Sequence, residues 1–410
     1  MIYKVNYDLK KIYEWEHNNA EIIKVEHNND TIFQKSRINL DASRNFLYRW
    51  ANYQGEVTTV YDTKGLGVIE LKAENNNTDM YSLEIGDQAK YIDDEAFAEC
   101  TSLTSIKIPS NVVSIGSHVF YNCSSVRSCV LGYGWNGYGW NYVNGKPTRL
   151  DVPLQSQHSF VGFQNIKELS IPSTMTLVDN DFHLMPNIET LIINEGVNEI
   201  STSFHEMLKL KTVYFPKSIT KFSGADHWGV KSIHIPDGKL KNIEKTSVGG
   251  SFSNFPNMTM FGCDSKILET FEGLNNNPKL KEVYFAHLVR IGDNSINRNE
   301  SLEYIKLPDS LTWIGDDSLQ RCKLKTIDIG NSITHIGAHF GSQTGDNINW
   351  IPTWEKLIIR NTVPPYWNDR PTYLTNKTIY VPDSSVTLYQ EQWTDVASII
   401  KPLSQYVEVK

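Results

Sequence analysis

No stretch of the 410 residues approaches the run of about 18 apolar positions that a membrane-spanning helix needs. The opening, MIYKVNYDLKKIYEWEH, carries charges where a secretion signal needs an apolar run. Unless a leader precedes it, this predicts a protein kept in the cytosol or released by lysis. Cysteine is scarce: Cys100, Cys123, Cys129, Cys263 and Cys322 are an odd number with no CxxC pair, which fits neither a disulfide framework nor a zinc site. Positive charge is in deficit, with 39 Lys and Arg against 47 Asp and Glu, a formal net charge of −8. A nucleic-acid partner needs a clustered positive field and is excluded on that ground. GxSxG, HExxH, a Walker A loop and a GxGxxG context are all missing. The sequence therefore offers no catalytic residues, no metal ligands and no cofactor site. Hydrophobic residues at 40 % and charged residues at 21 % still describe a chain that buries a core.

What is present is a repeat. The words LTSIKI from Leu103, IKELSI from Ile166, LKTVYF from Leu210, LEYIKL from Leu302 and LKTIDI from Leu324 are apolar at positions 1, 4 and 6. Alternation over positions 3 to 6 is the pattern of a strand buried on one face. The rule places word starts at Met80, Leu103, Val126, Pro147, Ile166, Ile188, Leu210, Val230, Met258, Leu280, Leu302, Leu324, Trp354 and Asn376, at spacings of 19 to 30 residues, most often 22. The words at Pro147, Met258 and Asn376 are degraded at position 1 or 6. Proline often follows the word, as at Pro109, Pro172, Pro216, Pro236, Pro308 and Pro382, and ends ladder pairing because it lacks an N–H. A second apolar pair closes in Ile-Gly at 115–116, 291–292, 314–315 and 336–337. Glycine there suits a corner with φ > 0 or a close backbone approach. Phe97/Cys100, Phe120/Cys123 and Leu319/Cys322 then recur at one interior position, so these thiols are expected to be buried and unligated.

A unit near 22 residues cannot bury its own apolar face, so units must stack into a continuous core. Fourteen parallel strands at about 4.8 Å spacing predict a curved rod roughly 60 Å long. The units LTSIKIPSNVVSIGSHVFYNCSS (103–125) and LEYIKLPDSLTWIGDDSLQRCK (302–323) resemble the BspA-like leucine-rich repeat. The resemblance covers about residues 80 to 382 and departs from the consensus at 126–163 and 230–274. It implies a mainly β, right-handed repeat solenoid. It also implies a role in recognition and adhesion, typically on bacterial surfaces or in secreted proteins, with related repeats in phages and some protists. It carries no catalytic residues to transfer.

Residues 1–79 lie outside the repeat. The turns His17-Asn18-Asn19 and His27-Asn28-Asn29 separate short alternating runs, a small hairpin meander. This module resembles, loosely, the short docking modules of bacteriophage virion proteins. RWANYQGEVTTVYD and LGVIELKAEN read as strands that would cap the first coil. After Pro382, Val386, Tyr389 and Trp393 fall at helical spacing behind an Asp or Ser cap, so residues 383–410 read as a terminal helical cap. The domains are thus 1–79, 80–382 and 383–410.

Two regions are candidate binding surfaces. The loop GYGWNGYGWNYVNGK carries Tyr133, Trp135, Tyr138, Trp140 and Tyr142 on glycine and asparagine. Such rings either stack on sugars or a protein partner, or fill their own coil. Word positions 3 and 5 place Ile192, Tyr214, His234, Tyr284 and Tyr304 on the concave sheet face, as a binding strip or as simple β-formers. His335 and His339 read as exposed side chains of the outer face, and Asp93-Asp94 and Asp316-Asp317 as a repeated structural pair. The reading is a non-enzymatic attachment protein: a phage fibre or decoration protein of the virion, or alternatively a bacterial cell-surface adhesin. An enzyme without a recognisable motif is the remote alternative. Its partners would be a surface protein or glycan of a bacterial or host cell, a virion or envelope component held through residues 1–79, and a second copy in a homo-oligomer.

Overall fold

The computed structural model describes residues 24–27, 30–34, 44–109, 111–112, 114–131, 140–143, 146–149, 160–171, 177–179, 182, 185–245, 250–343, 351–371 and 374–407. Thirteen of the fourteen words form parallel strands along one side of the coils, referred to below as the first sheet, in four hydrogen-bonded runs from Ser82–Ile85 and Ser105–Ile108 to Lys356–Ile359 and Thr378–Val381. Word positions 4 and 6 point inward: Leu83, Ile106, Leu169, Leu191 and Ile327 are all buried, as are their position-6 neighbours Ile85, Ile108, Ile171, Ile193 and Ile329. The apolar pairs that follow form a second parallel sheet. Its longer part runs unbroken through nine strands from Leu177–Asp179 to Tyr366–Trp367. The core lies between the two sheets and runs along the whole ladder.

The exception is the word at Pro147. Lys146–Arg149 pairs antiparallel with Trp140–Val143, in register Val143↔Lys146, and so makes a hairpin outside the ladder. The Asn144-Gly145 dipeptide between those paired residues is the composition of a two-residue hairpin loop. The coil that ends at Phe120 is followed in the core by the one at Phe160: their rings stack at 5.9 Å, and the Asn122 N–H donates to the Val161 carbonyl at 3.0 Å. The hairpin is therefore an excursion between two neighbouring coils. Further strand pairing comes from the C-terminus, where Ile400–Pro402 adds to Thr378–Val381 in parallel.

The third side of each coil is a ribbon of turns that also bonds coil to coil. Glu95, Phe97 and Glu99 donate their N–H groups to the carbonyls of Ser117, Val119 and Tyr121 at 2.8–2.9 Å. Phe97, Phe120, Phe160, Phe182 and Phe204 stack successively inside it at 5.0–5.9 Å. Cys100, Cys123 and Cys322 are buried, free thiols whose S–H groups meet the carbonyls of Glu74, Phe97 and Ile296 at 3.0–3.2 Å. Asn277 and Asn299 do the same for Phe252 and Leu274, at 3.2 and 2.8 Å. In the short 20-residue coil from Leu210 to Val230, the buried Trp228 donates its indole N–H to Phe204. One interior position thus takes Cys, Asn or Trp, because each satisfies a carbonyl that the core would otherwise orphan.

The Ile-Gly corners owe their glycine to close approach and not to φ: none of Gly116, Gly292, Gly315 or Gly337 has positive φ. A Cβ on Gly315 would lie 2.2 Å from Asp293 Oδ1, and one on Gly116 would lie 2.4 Å from Asp94 Oδ1. Those aspartates hold the corner, accepting from the Asp316 N–H at 3.0 Å and the Ser117 N–H at 2.7 Å; Asp316 in turn accepts from Ala338 at 2.7 Å.

Both ends are covered. Tyr48–Ala51 pairs antiparallel with the first ladder strand, and Val57–Val60 pairs antiparallel with it in turn. Val68–Ile69 joins the second sheet beside Tyr91–Ile92. At the other end the helix Val386–Gln392 buries Tyr389 and is followed by the buried Trp393. Its expected side-chain cap is not made: Ser385 makes no capping bond, and Asp383 accepts from the Ser404 N–H at 2.9 Å instead. Among the described residues no helix is long and apolar enough to cross a membrane.

Two outcomes follow. Gly315→Ala must push the Asp293 corner away and should lower the unfolding free energy by about 1–3 kcal/mol in denaturant titration. Burial pushes the Cys263 thiol up to about 11 and that of Cys322 up to about 12. Folding therefore favours the protonated form. The thiol contribution is complete below about pH 8.5, where unfolded cysteine begins to ionise, and is lost as pH rises toward 12. The melting temperature should fall across that window, and less steeply in Cys322→Ser; an unchanged slope would refute the assignment.

Candidate recognition surface

Word positions 3 and 5 face away from the core on the first sheet, and pairing fixes who neighbours whom. Ile192 and Tyr214 are cross-strand partners. Ile192 is half-buried, so only Tyr214, at 57 % exposure, stands clear. His234, Gly262 and Tyr284 lie in register on three consecutive strands. Gly262 leaves room for its neighbours to lean in: a Cβ there would sit 3.3 Å from His234 Nδ1 and 3.9 Å from the Tyr284 ring. The His234 imidazole reaches across to Asp264, with Nε2 2.9 Å from Oδ2, which fixes the ring over the glycine. Tyr284 is 53 % exposed, and Tyr304, at position 3 of the next word, is 42 % exposed. Structure thus groups His234 with Tyr284 and Ile192 with Tyr214, and leaves Tyr304 at the start of a further run, paired with Thr326.

Beyond Tyr304 the same face closes over. Asp328 is buried although it occupies position 5, because Arg360 donates Nε and Nη2 to its two carboxylate oxygens at 2.8 Å each. The carboxylate in turn raises the Arg360 pKa. Ile358, also at position 5, is fully buried. Tyr406 packs edge-on against Tyr380 at 5.3 Å and lies under the Lys356 ammonium at 5.6 Å. The exposed tyrosines of the face therefore lie on the stretch from Tyr214 to Tyr304, short of the closed end.

Tyr133, Trp135 and Tyr138 lie outside the described residues. Trp140 and Tyr142 belong to the excursion hairpin, Tyr142 opposite Pro147.

The second sheet carries a column that word positions do not index. Arg290, Trp313, His335 and Tyr366 are in register on successive strands. The Arg290 guanidinium lies 4.8 Å over Trp313, Trp313 stacks on His335 at 3.5 Å, and His335 on Tyr366 at 5.3 Å. Burial under its neighbours lowers the His335 pKa. His335 and His339 were expected to be simply exposed; instead His335 is a stacked ring, and His339 bridges coils, with Nδ1 3.0 Å from Asp317 and Nε2 3.5 Å from Asp369. Its contact consumes one member of the Asp316-Asp317 pair, while Asp316 caps the next corner. The residue before each Ile-Gly is the sequence signal for this column. Among the described residues no group of three or more His, Cys, Asp or Glu could hold a metal ion.

The chain matches the BspA type leucine-rich repeat region, in six copies, over residues 68–136, 153–225 and 225–344. These segments make up more than half of the chain, and it belongs to that family. No curated protein matches it. Among solved structures it is similar to a leucine-rich repeat protein from Bacteroides ovatus (18 % identity, 86 % of this chain and 90 % of that one, TM-score 0.42). It is similar also to a leucine-rich cell surface protein from Faecalibacterium prausnitzii (19 %, 87 % and 93 %, 0.37) and to the pneumococcal vaccine antigen PcpA (16 %, 77 % and 70 %, 0.37).

Arg360→Ala should strand the Asp328 carboxylate and destabilise the fold by about 3 kcal/mol, less than for a fully dry pair because the guanidinium is partly solvated. Denaturant titration checks it: Asp328→Asn should recover much of the loss in the Arg360→Ala background, and no recovery would show that Arg360 acts only through packing.

Proposed function

We propose that this protein is a non-enzymatic adhesion protein that recognises a surface protein or glycan of a cell through the outer face of its first sheet. The observation that carries the reading is the group Tyr214, Tyr284 and Tyr304, each more than two-fifths exposed, on a face whose far end is closed by its own chain. Tyrosine gives large contact area at low entropy cost, and a rigid ladder holds the rings at fixed intervals. Trp140 and Tyr142 of the excursion, with Tyr133, Trp135 and Tyr138 ahead of them in sequence, are a second candidate binding element, since insertions in solenoids often serve binding. Several weak contacts along one face would add through avidity. The protein's negative charge favours a neutral or cationic partner.

The attachment end is residues 1–43. Residues from Arg44 onward support the ladder: Phe46 and Tyr48 are buried against it, and Arg49 bonds Glu84 at 2.6 Å. The segment ahead of them, whose described part is the antiparallel pair Lys24–His27 and Asp30–Gln34, is the part assigned to hold the protein on its carrier, a virion or a cell envelope. Deleting residues 1–43 should abolish retention on the carrier and leave the melting temperature unchanged; retention by the deleted protein would sink the assignment. Tyr214→Ala combined with Tyr284→Ala should weaken binding to target cells at least tenfold with the rod still folded. Normal binding by this double variant, with loss in Trp135→Ala/Trp140→Ala, would move the site wholly to the excursion.

A further inference from the structure

The antiparallel cap does more than close the ladder. Its turn, Asn52 to Gly55, hangs over the flank of the first coils and walls a groove of about 410 Å³. That volume is within the range of roughly 300–1,000 Å³ typical of small-molecule sites.

The groove floor is a grid set by the repeat. Asp79, Ser102 and Ser125 hold the position just before successive words, and Tyr81, Thr104 and Arg127 hold position 2. Backbone bonds lock the second row in step: the Tyr81 carbonyl accepts from the Thr104 N–H at 2.9 Å, and the Thr104 carbonyl from the Arg127 N–H at 2.8 Å. Neighbouring grid points along the row are therefore about one strand spacing apart, ~4.8 Å. Over this grid stands Tyr53, 77 % exposed, edge-on to Tyr81 at 5.5 Å. Gln54 and Thr78 complete the lining.

The chemistry of the lining selects a class of ligand. Two tyrosine rings set edge to face offer an apolar corner for one face of a small ring. Hydroxyls and an amide surround it. Arg127 and Asp79 are one cation and one anion, neither in an ion pair with any described residue, so the groove is electrically balanced. Each can bond a pair of adjacent hydroxyls with charge-assisted geometry. A charged ligand would leave one of the two opposed.

We infer that this groove, formed between the cap turn at Tyr53 and the flank residues Asp79, Tyr81, Ser102 and Arg127, is a binding site for a neutral saccharide, one pyranose ring resting in the Tyr53/Tyr81 corner with its hydroxyls read by Asp79 and Arg127. It lies apart from the sheet face argued above and does not depend on that face binding anything.

The test uses the full chain and ligand-observed saturation-transfer NMR with methyl glycosides and disaccharides of glucose, galactose, mannose and N-acetylglucosamine. Glucuronic acid and N-acetylneuraminic acid serve as charged counterparts. At least one neutral probe should show transfer to its ring protons. Tyr53→Ala should weaken it about tenfold and Arg127→Gln comparably. Tyr53 sits on an exposed turn, so its loss leaves the fold intact, checked by an unchanged melting temperature. Silence of every neutral probe, transfer to the acidic sugars alone, or transfer that survives Tyr53→Ala would each overturn the inference.

Discussion

Every feature of this molecule depends on one condition of geometry: after about 22 residues the chain must return to the same place one strand spacing further on. Only then do its N–H groups meet the carbonyls of the neighbouring coil on all three sides, as Thr104 meets Tyr81, Gly116 meets Ile92 and Phe97 meets Val119. Apolar burial alone would tolerate slippage; a ladder with a two-residue period would not, because a one-residue slip turns Leu83 or Ile106 out to solvent. The Asp–Gly corners and the interior Cys, Asn and Trp side chains serve this return. Each fixes the chain against the previous coil at a point where a free carbonyl or N–H would otherwise be buried.

The same condition explains how irregular lengths are absorbed. The short coil ending at Val230 puts a Trp where others put a smaller group, and its indole reaches the carbonyl that a longer coil would bring closer. Between Phe120 and Phe160, by contrast, part of the surplus pairs with itself as a hairpin outside the ladder, and the stack of rings continues from one coil to the next. Insertions can be added at such points without disturbing the ladder, which is why the hairpin Trp140–Val143/Lys146–Arg149 coexists with a core that continues from Phe120 to Phe160.

The strand register was readable from sequence because it is a local property: apolar residues at fixed offsets within six positions. It failed at Pro147, where spacing was allowed to outweigh a proline at position 1 and the Asn144-Gly145 signal. The fold's end at Ile400–Pro402 was invisible because three residues carry too little pattern. The corner glycines were legible as special, though not the choice between φ and crowding, since Asp293 and Gly315 meet only in space. Of the candidate surface, the tyrosines were found by position, but not the closing of their face by Arg360 and Tyr406. The stacked column from Arg290 to Tyr366 and the groove under Tyr53 were missed for one reason: both arise where separate rows are brought side by side, and a word-by-word reading follows one row at a time.

The direction of the backbone bonds has a mechanical meaning. They lie along the long axis, so a load carried from one end of the rod to the other does not shear many bonds together but opens them one coil at a time. Each coil released turns about 5 Å of rod into roughly 70 Å of extended chain. A protein held at one end and bound along its flank would yield in small steps under flow, shed load from its grip, and rewind from the coils still standing, each a ready template for the next.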